Sequence, residues 1–244
     1  MYRFYVGQDN IYDNYIDITG TDVNHIKNVL RLGKGDWVIA CDGSGRDYIS
    51  RITSTENSII RLCVEKVQES GTEPGTKLVL FQGLPKGSKM EFIIQKAVEL
   101  GVSGIVPVIM KRCVVKLDAG KAVKKQERWQ KIAEAAAKQS GRGIVPEVHA
   151  AVMLKEAFDI AASLEYNIIP YELQDGMEKS REIIKEACSK KSAGIFIGPE
   201  GGFEKEEIEE AIKREIRPVS LGKRILRTET AGMAVLSIMM FQMQ

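Results

Sequence analysis

The sequence contains few of the residues that build metal centres and disulfide frameworks. It has four cysteines, none of them at CxxC spacing, and only two histidines, His25 and His149. Cysteines this far apart argue against both a disulfide scaffold and a zinc site. We therefore expect no metal, and we expect His25 to serve in packing within an amphipathic helix rather than in catalysis.

Targeting segments and several well-known motifs are also absent. The first residues contain no apolar segment like that of a signal peptide, and no apolar run reaches membrane-spanning length. We therefore expect a cytoplasmic protein that contacts no membrane. No dinucleotide-binding GxGxxG follows a predicted strand, and neither a P-loop nor a GxSxG nucleophile elbow occurs. The 244 residues, 44% hydrophobic and 28% charged, suit a globular protein of one large or two smaller domains.

The net charge of +2 hides an uneven distribution of charge. Residues 1–70 hold eight Lys and Arg against ten Asp and Glu, which gives −2 and leaves +4 for the remainder. Residues 111–142, called the basic segment below, hold ten basic and three acidic residues, which gives +7. Such a density favours a phosphate-contacting surface, with RNA as the partner. The alternative is a solvated helix face followed by a basic loop.

The pattern of apolar residues predicts two structural parts. In residues 1–70, short β-branched and aromatic runs alternate with turn residues, which predicts a small β-barrel interrupted by one helix over Asp22–Leu32. A polar stretch with Gly and Pro around residues 69–75 is the predicted boundary. Beyond it, alternating strands and helices predict a mainly parallel sheet covered on both faces. The predicted strands are 78–81, 104–109, 166–169, 194–197 and 218–221, and the predicted helices are 89–100, 126–140, 177–188, 205–214 and 228–241.

Two segments that follow predicted strands have the composition of ligand-binding loops. Residues 198–203 read GPEGGF, and residues 221–231 read LGKRILRTETA. Ligands bind at the carboxyl ends of strands in open α/β sheets, although a glycine-dependent turn is the simpler alternative for the first loop. The glutamates after the first loop, Glu204, Glu206 and Glu207, disfavour a phosphate and favour a neutral or positively charged ligand.

The second loop precedes the last predicted helix. Thr228 or Thr230 is expected to cap this helix. One of the two arginines, Arg224 and Arg227, is free to reach outward while the other pairs locally. The competing interpretation is that Arg227 pairs with Glu229 and has a structural role.

Both loops resemble those of the ribosomal RNA small subunit methyltransferase E family, which belongs to the SPOUT methyltransferases. Further blocks resemble motifs of this family in the same order over nearly the whole chain. They are residues 25–32 (HIKNVLRL), 82–91 (QGLPKGSKME), 95–101 (QKAVELG), 127–129 (ERW) and 134–142 (EAAAKQSGR). Each block is short, but their joint occurrence is specific. The chain departs from the family pattern at Cys113, where a serine is more frequent.

The resemblance implies a fold and an activity. It implies an α/β protein with a PUA-like β-barrel over residues 1–72 and a SPOUT methyltransferase domain over residues 73–244, with a deep trefoil knot at roughly 195–244. It further implies a homodimer that uses S-adenosylmethionine as cofactor. The implied reaction is methylation of N3 of a uridine, position 1498 of 16S ribosomal RNA, in the assembled small subunit.

The resemblance also assigns residues to roles. Arg227 and Arg224 would stabilise negative charge that develops on the uracil, and Glu229, or alternatively Glu200, would accept the N3 proton. The implied cofactor-binding residues are Tyr171, Glu172, Leu173, Ile197, Gly198, Pro199, Glu200, Gly201, Gly202, Leu221, Gly222, Ile225, Leu226, Thr228, Thr230 and Ala231. The expected RNA-binding residues are Arg3, Arg31, Lys86, Lys89, Lys111, Arg112, Lys121, Lys124, Lys125, Arg128, Gln139 and Arg142.

Two other functions compete with this one. The chain could be a ribosome-associated RNA-binding module whose knot serves only as a dimerisation scaffold, but such a scaffold would not need both loops intact. It could also be a SPOUT enzyme that acts on a ribose 2′-hydroxyl or on transfer RNA.

Overall fold

The computed structural model describes residues 1–56, 58–115, 119–171 and 176–243. The chain divides into two compact units, one comprising Met1–Glu73 and Ala137–Val145, the other Pro74–Ala136 and Pro146–Gln244. The sequence-based boundary between residues 72 and 73 stays a prediction about folding domains. The packing units differ from it in assigning Glu73 and residues 137–145 to the first unit.

The first unit is built on a curled five-stranded sheet. Its strands are β1 (Tyr2–Tyr5), β2 (Tyr15–Ile18), β3 (Trp37–Cys41), β4 (Arg46–Ser54) and β5 (Ile60–Glu69), in the order β1-β3-β4-β5-β2. β1 runs parallel to β3, and the other neighbours are antiparallel. Alternate residues such as Val38, Ile60 and Leu62 are fully buried and form the core. The predicted barrel is thus present as a curled sheet whose end strands, in the described residues, form no ladder with each other.

The helix predicted over Asp22–Leu32 is shorter than predicted. α1 covers Thr21–Asn24 and continues as one π-helical turn over His25–Val29. Arg31 has a φ of +56°, in the left-handed region, which stops the helix before Leu32. His25 is exposed, and its ring lies edge-on to that of Phe4 at 6.2 Å.

The second unit contains a sheet that has seven strands in the described part of the chain, all paired in parallel. The strands are β6 (Lys77–Gly83), β7 (Gly104–Ile109), β8 (Glu147–Val148), β9 (Val152–Met153), β10 (Tyr166–Pro170), β11 (Ser192–Ile197) and β12 (Arg217–Val219). Their order is β12-β10-β11-β6-β7-β8, and β9 also pairs with β7. At the centre, Phe81 and Phe196 face each other on β6 and β11 with ring centroids 4.4 Å apart.

Helices cover both faces of this sheet, as predicted. They are α2 (Lys89–Glu99), α3 (Ala119–Ser140), α4 (Leu154–Ala161), α5 (Met177–Cys188), α6 (Lys205–Lys213) and α7 (Thr228–Gln242). α4 and α6 share an apolar core with Phe81 and Phe196. α7 contacts α2 and α5 on the opposite face, where its Gly232 lies against Ile197 and Gln82.

Several elements differ from the sequence-based prediction. α3 begins at Ala119 rather than at 126, and β8, β9 and α4 were not predicted. The two-residue strands β8 and β9 are too short to show a period of two. β12 covers Arg217–Val219 instead of 218–221. Ser220 already belongs to the loop, where its amide donates to Ser180 Oγ at 2.9 Å instead of to a neighbouring strand.

The described residues offer neither a membrane span nor a metal cluster. None of the described helices combines the length and apolar character needed to cross a membrane. Over the same residues, no three His, Cys, Asp or Glu side chains are arranged to hold a metal ion. All four cysteines are free thiols.

Candidate functional site

A cavity of about 390 Å³ lies at the carboxyl ends of β10, β11 and β12, entirely within the second unit. Its walls come mainly from two loops: residues 198–203, called the glycine loop, and residues 221–227, called the arginine loop. Tyr171, which follows β10, and Lys89, which begins α2, complete the wall with the start of α7. The volume falls in the range of roughly 300–1,000 Å³ that is usual for small-molecule sites.

The glycine loop lies close against the end of β6. A Cβ at Gly83 would come within 2.7 Å of the backbone N of Pro199, so only glycine permits this approach. Gly202 has a φ of +68°, which favours glycine, and its amide donates to Pro199 O at 2.9 Å. The loop is thereby folded back on itself beside the cavity.

The glutamates that follow the glycine loop do not face the cavity. Glu204 pairs with Arg112, whose Nε lies 3.0 Å from Glu204 Oε1, and Arg112 also donates to Gly201 O at 2.7 Å. Glu206 pairs with Lys111. Glu207 is buried and accepts from the backbone amides of Lys111 and Glu204. These carboxylates bind partners outside the cavity wall, so they give no support to the expectation of a neutral or positively charged ligand.

One ion-pair cluster does border the cavity. Lys89 Nζ lies 3.1 Å from Glu200 Oε1 and 3.5 Å from Glu229 Oε2. Burial raises the pKa of Glu200, but hydrogen bonds from backbone amides, including that of Lys86, and from Lys89 outweigh burial and lower it. The hydrogen bond to Glu200 raises the pKa of Lys89. The ionised form of Glu200 is thus favoured. Glu229 forms its ion pair with Lys89 and not with Arg227.

The two arginines of the arginine loop line the cavity. Arg224 and Arg227 are exposed, and neither forms an ion pair with a carboxylate of residues 1–56, 58–115, 119–171 or 176–243. Arg227, in an extended conformation, is also the N-cap residue of α7. The expectation that Thr228 or Thr230 caps this helix is wrong, because Thr228 is already its first helical residue and its hydroxyl bonds elsewhere.

Thr228 joins the two loops through buried hydrogen bonds. Its hydroxyl donates to Gly198 O at 2.6 Å and accepts from Gln82 Nε2 at 2.8 Å. Gln82 also donates to Gly83 O at 3.0 Å and is fully buried. Sequence reasoning gave Gln82 no role, although a polar residue in the otherwise apolar strand β6 is a signal that could have found it.

The structure brings together most of the residues predicted to bind a cofactor. Those that line the cavity are Tyr171, Ile197, Gly198, Pro199, Glu200, Gly202, Leu221, Gly222, Ile225, Leu226, Thr228 and Ala231. Gly201 and Thr230 are not part of its wall, and Gly201 instead lies against Arg112. Glu172 and Leu173 lie outside the described residues. The cavity wall also includes Phe203, which had no predicted ligand role.

The residues predicted to bind RNA fall into three groups. Arg3 and Arg142 are largely buried in the first unit, where they pair with Asp47 and Glu73. Lys89 and Arg112 are engaged around the cavity and the glycine loop, as described above. The remaining predicted residues are exposed or half-buried side chains: Arg31, Lys86, Lys111, Lys121, Lys124, Lys125, Arg128 and Gln139.

Family models match both parts of the chain. A model described as an RNA methyltransferase domain matches residues 72–240, and one described as an RNA methyltransferase PUA domain matches residues 18–63. The curled sheet and the parallel sheet with its cavity are thus those of an RNA methyltransferase that carries a PUA domain.

Individual relatives identify one family within this class of RNA methyltransferases. Ribosomal RNA small subunit methyltransferase E of Bacillus subtilis is 36% identical over 92% of this chain and 89% of its own length. The protein of the same name from Mesomycoplasma hyopneumoniae is 33% identical over 97% and 98%. The crystal structure of the Neisseria gonorrhoeae enzyme of that name, bound to S-adenosyl methionine, is 32% identical, with a TM-score of 0.81 over 98% of this chain and 96% of that one. The chain belongs to the ribosomal RNA small subunit methyltransferase E family.

Proposed function

We propose that this chain binds S-adenosylmethionine in the cavity and methylates N3 of a uridine, position 1498 of 16S ribosomal RNA, in the assembled small subunit. The observation that carries this proposal is one cavity lined by both loops that resemble those of the family. The N. gonorrhoeae relative, bound to the same cofactor, supports it.

The residues around the cavity fit such a cofactor. The two loops contribute backbone groups and apolar side chains, which suit an adenine ring and a ribose. We assign to the cofactor the twelve lining residues named above, together with Gly201, Thr230, Glu172 and Leu173. When bound, S-adenosylmethionine supplies a methyl group on a positively charged sulfur.

The arginines supply the charge that the nucleobase requires. Uracil N3 carries a proton at neutral pH, so methylation requires loss of that proton and places negative charge on the uracil oxygens. Arg227 and Arg224 line the cavity without a carboxylate partner in the described residues, so their guanidinium groups are available to stabilise this charge. The uridine must also leave its stack to reach the cavity.

Glu229 is proposed as the group that accepts the N3 proton. Its Oε2 is buried and lies near Lys89 rather than in the cavity wall, so a structural role competes with this one. Glu229→Gln separates the two roles. A base predicts a large loss of kcat with unchanged cofactor affinity, whereas a partner of Lys89 predicts lower thermal stability and weaker cofactor binding.

The proposed assembly is a homodimer with a trefoil knot from about residue 195 onward. α7 supports dimer formation because Ser237 is the one polar residue between Ala231 and Phe241, and Ile238 and Phe241 stay exposed on it. Phe92 of α2, the helix that packs on α7, is exposed as well. Sedimentation of Phe241→Arg tests this surface: we expect a monomer where the wild-type protein forms a dimer, and an unchanged dimer would exclude it.

Methylation of purified small subunits, followed by mass spectrometry of the nucleosides, tests the reaction. We expect 3-methyluridine that depends on S-adenosylmethionine. An Arg227→Ala variant serves as the matched inactive control. The formation of 2′-O-methylated nucleosides without 3-methyluridine would refute the proposed reaction, and the absence of cofactor binding would instead favour an RNA-binding module.

A further inference from the structure

Gln82 is a buried polar side chain that the proposed chemistry does not use. It is fully buried near the end of β6. Burial of an amide group costs free energy unless hydrogen bonds satisfy it. Its Nε2 donates to Gly83 O at 3.0 Å and to Thr228 Oγ1 at 2.8 Å, while its Oε1 has no hydrogen-bond partner within the described residues.

The hydrogen bond from Gln82 to Gly83 fixes the direction of the bonds that follow. A carbonyl oxygen only accepts, so the amide atom that faces Gly83 O must belong to the NH₂ group. The same group faces Thr228 Oγ1, which therefore accepts and keeps its own hydrogen for another acceptor. That acceptor is Gly198 O, 2.6 Å away. The Thr228 hydroxyl consequently has one orientation.

These bonds connect three elements around the cavity. Gln82 belongs to β6, Gly198 begins the glycine loop, and Thr228 begins α7 directly after the arginine loop. Gly83 complements this arrangement because it lets the backbone of Pro199 approach β6. The position of each loop therefore depends on the end of the same strand.

We propose that Gln82 is a positioning residue for cofactor binding. By orienting the Thr228 hydroxyl toward Gly198 O, it holds the glycine loop and the arginine loop at the separation that the cofactor requires. Gln82 is not part of the cavity wall, so it acts through Thr228. The inference rests on the proposed function, in which the cavity binds S-adenosylmethionine.

Four single variants of the full-length protein test this inference. Gln82→Met keeps the length of the side chain and removes the donor. Thr228→Val removes the hydroxyl and keeps the shape, whereas Thr228→Ser keeps the hydroxyl. Thr76→Val is the matched control, because Thr76 is equally buried and its hydroxyl donates to Cys188 O at 3.0 Å, next to the opposite end of β6. For each variant, calorimetry measures the affinity for S-adenosylmethionine and the Tm.

The expected pattern separates positioning from general stability. We expect Gln82→Met and Thr228→Val each to weaken cofactor binding about tenfold, as the loss of one buried hydrogen bond predicts. Thr228→Ser keeps the hydroxyl, so we expect it to weaken binding less than Thr228→Val does. Thr76→Val should lower Tm and leave the affinity unchanged. Because Gln82 acts through Thr228, the double variant Q82M/T228V should bind no more weakly than the weaker of its two single variants.

Three results would overturn the inference. They are wild-type affinity in Gln82→Met, additive losses in the double variant, and a loss in Thr76→Val as large as that in Gln82→Met. If Gln82→Met does not fold, equal affinities of the Thr228→Ser and Thr228→Val variants would overturn it. Absence of binding by the wild-type protein would refute the proposed function itself, and the inference with it.

Discussion

Arg142 offers a test that separates folding from RNA binding. The sequence places it at the end of the basic segment, where we expected a phosphate contact. In the structure its side chain is only 5% exposed and pairs with Glu73, whose carboxylate also accepts from the amides of Gly143 and Ile144. Arg142→Met keeps the apolar stem and removes the charge. The hydrogen bond from the Tyr5 hydroxyl to the backbone carbonyl of residue 142 does not depend on that side chain.

The expected cost follows from the burial of this pair. Breaking a buried ion pair by removing one partner costs about 3–5 kcal/mol. We expect the lower end, about 3 kcal/mol, because the Glu73 side chain is still 21% exposed and keeps its amide donors. In a protein of this size that corresponds to a fall in Tm of roughly 6–12 °C, measured by differential scanning calorimetry. Arg128→Met is the control, since its pair with Glu91 is exposed and is worth at most about 1 kcal/mol.

The same variant has a pH signature. Burial raises the pKa of Glu73, but the hydrogen bond and charge of Arg142 outweigh burial and hold it below its ordinary value of 4.5. A lowered folded-state pKa gives stability that is present above pH 4.5 and is lost as the pH falls through that lower value. Arg142→Met should reduce this loss of stability at acid pH, while Ile144 and Thr72 still donate hydrogen bonds to Glu73. Wild-type stability together with weaker RNA binding in the variant would refute the reasoning.

Three further predictions concern the cavity and the basic segment. Gly83→Ala forces the glycine loop away from β6, so we expect a stability lower by about 1–3 kcal/mol and weaker cofactor binding, both measured by calorimetry. Gly75→Ala has open space around its Cβ and should match wild type. Arg227→Ala should lower the turnover far more than the cofactor affinity; equal losses would make it a cofactor or structural residue. Charge reversal of three lysines in the basic segment should weaken RNA binding. These lysines are Lys121, Lys124 and Lys125. The slope of the logarithm of the binding constant against the logarithm of salt concentration should fall in magnitude by up to about three. Lys205→Glu is the control outside the segment.

The elements that sequence reasoning predicted well are those set by local pattern. α5 covers Met177–Cys188 and β7 covers Gly104–Ile109, both as predicted, because each carries a clear apolar period or run bounded by breakers. The candidate site followed from topology, since the loops after parallel strands gather at one edge of the sheet. The partners of charged side chains did not follow. Arg112 and Glu204 are 92 residues apart in sequence, and no local pattern shows that they meet.

The charges that line the cavity bear on which reactant of the proposed methylation the protein would stabilise. In the described residues they come from Lys89, Glu200, Arg224 and Arg227. Lys89 and Glu200 neutralise each other at 3.1 Å, so the unbalanced charge belongs to the two arginines. Positive charge disfavours a sulfonium but stabilises negative charge on a uracil, so in the proposed reaction the arginines serve the nucleobase and not the cofactor. Cofactor affinity must then come from the two loops and from the hydrogen bonds that hold them, which is why substitution of Gln82 should weaken binding while substitution of Arg227 should slow methyl transfer.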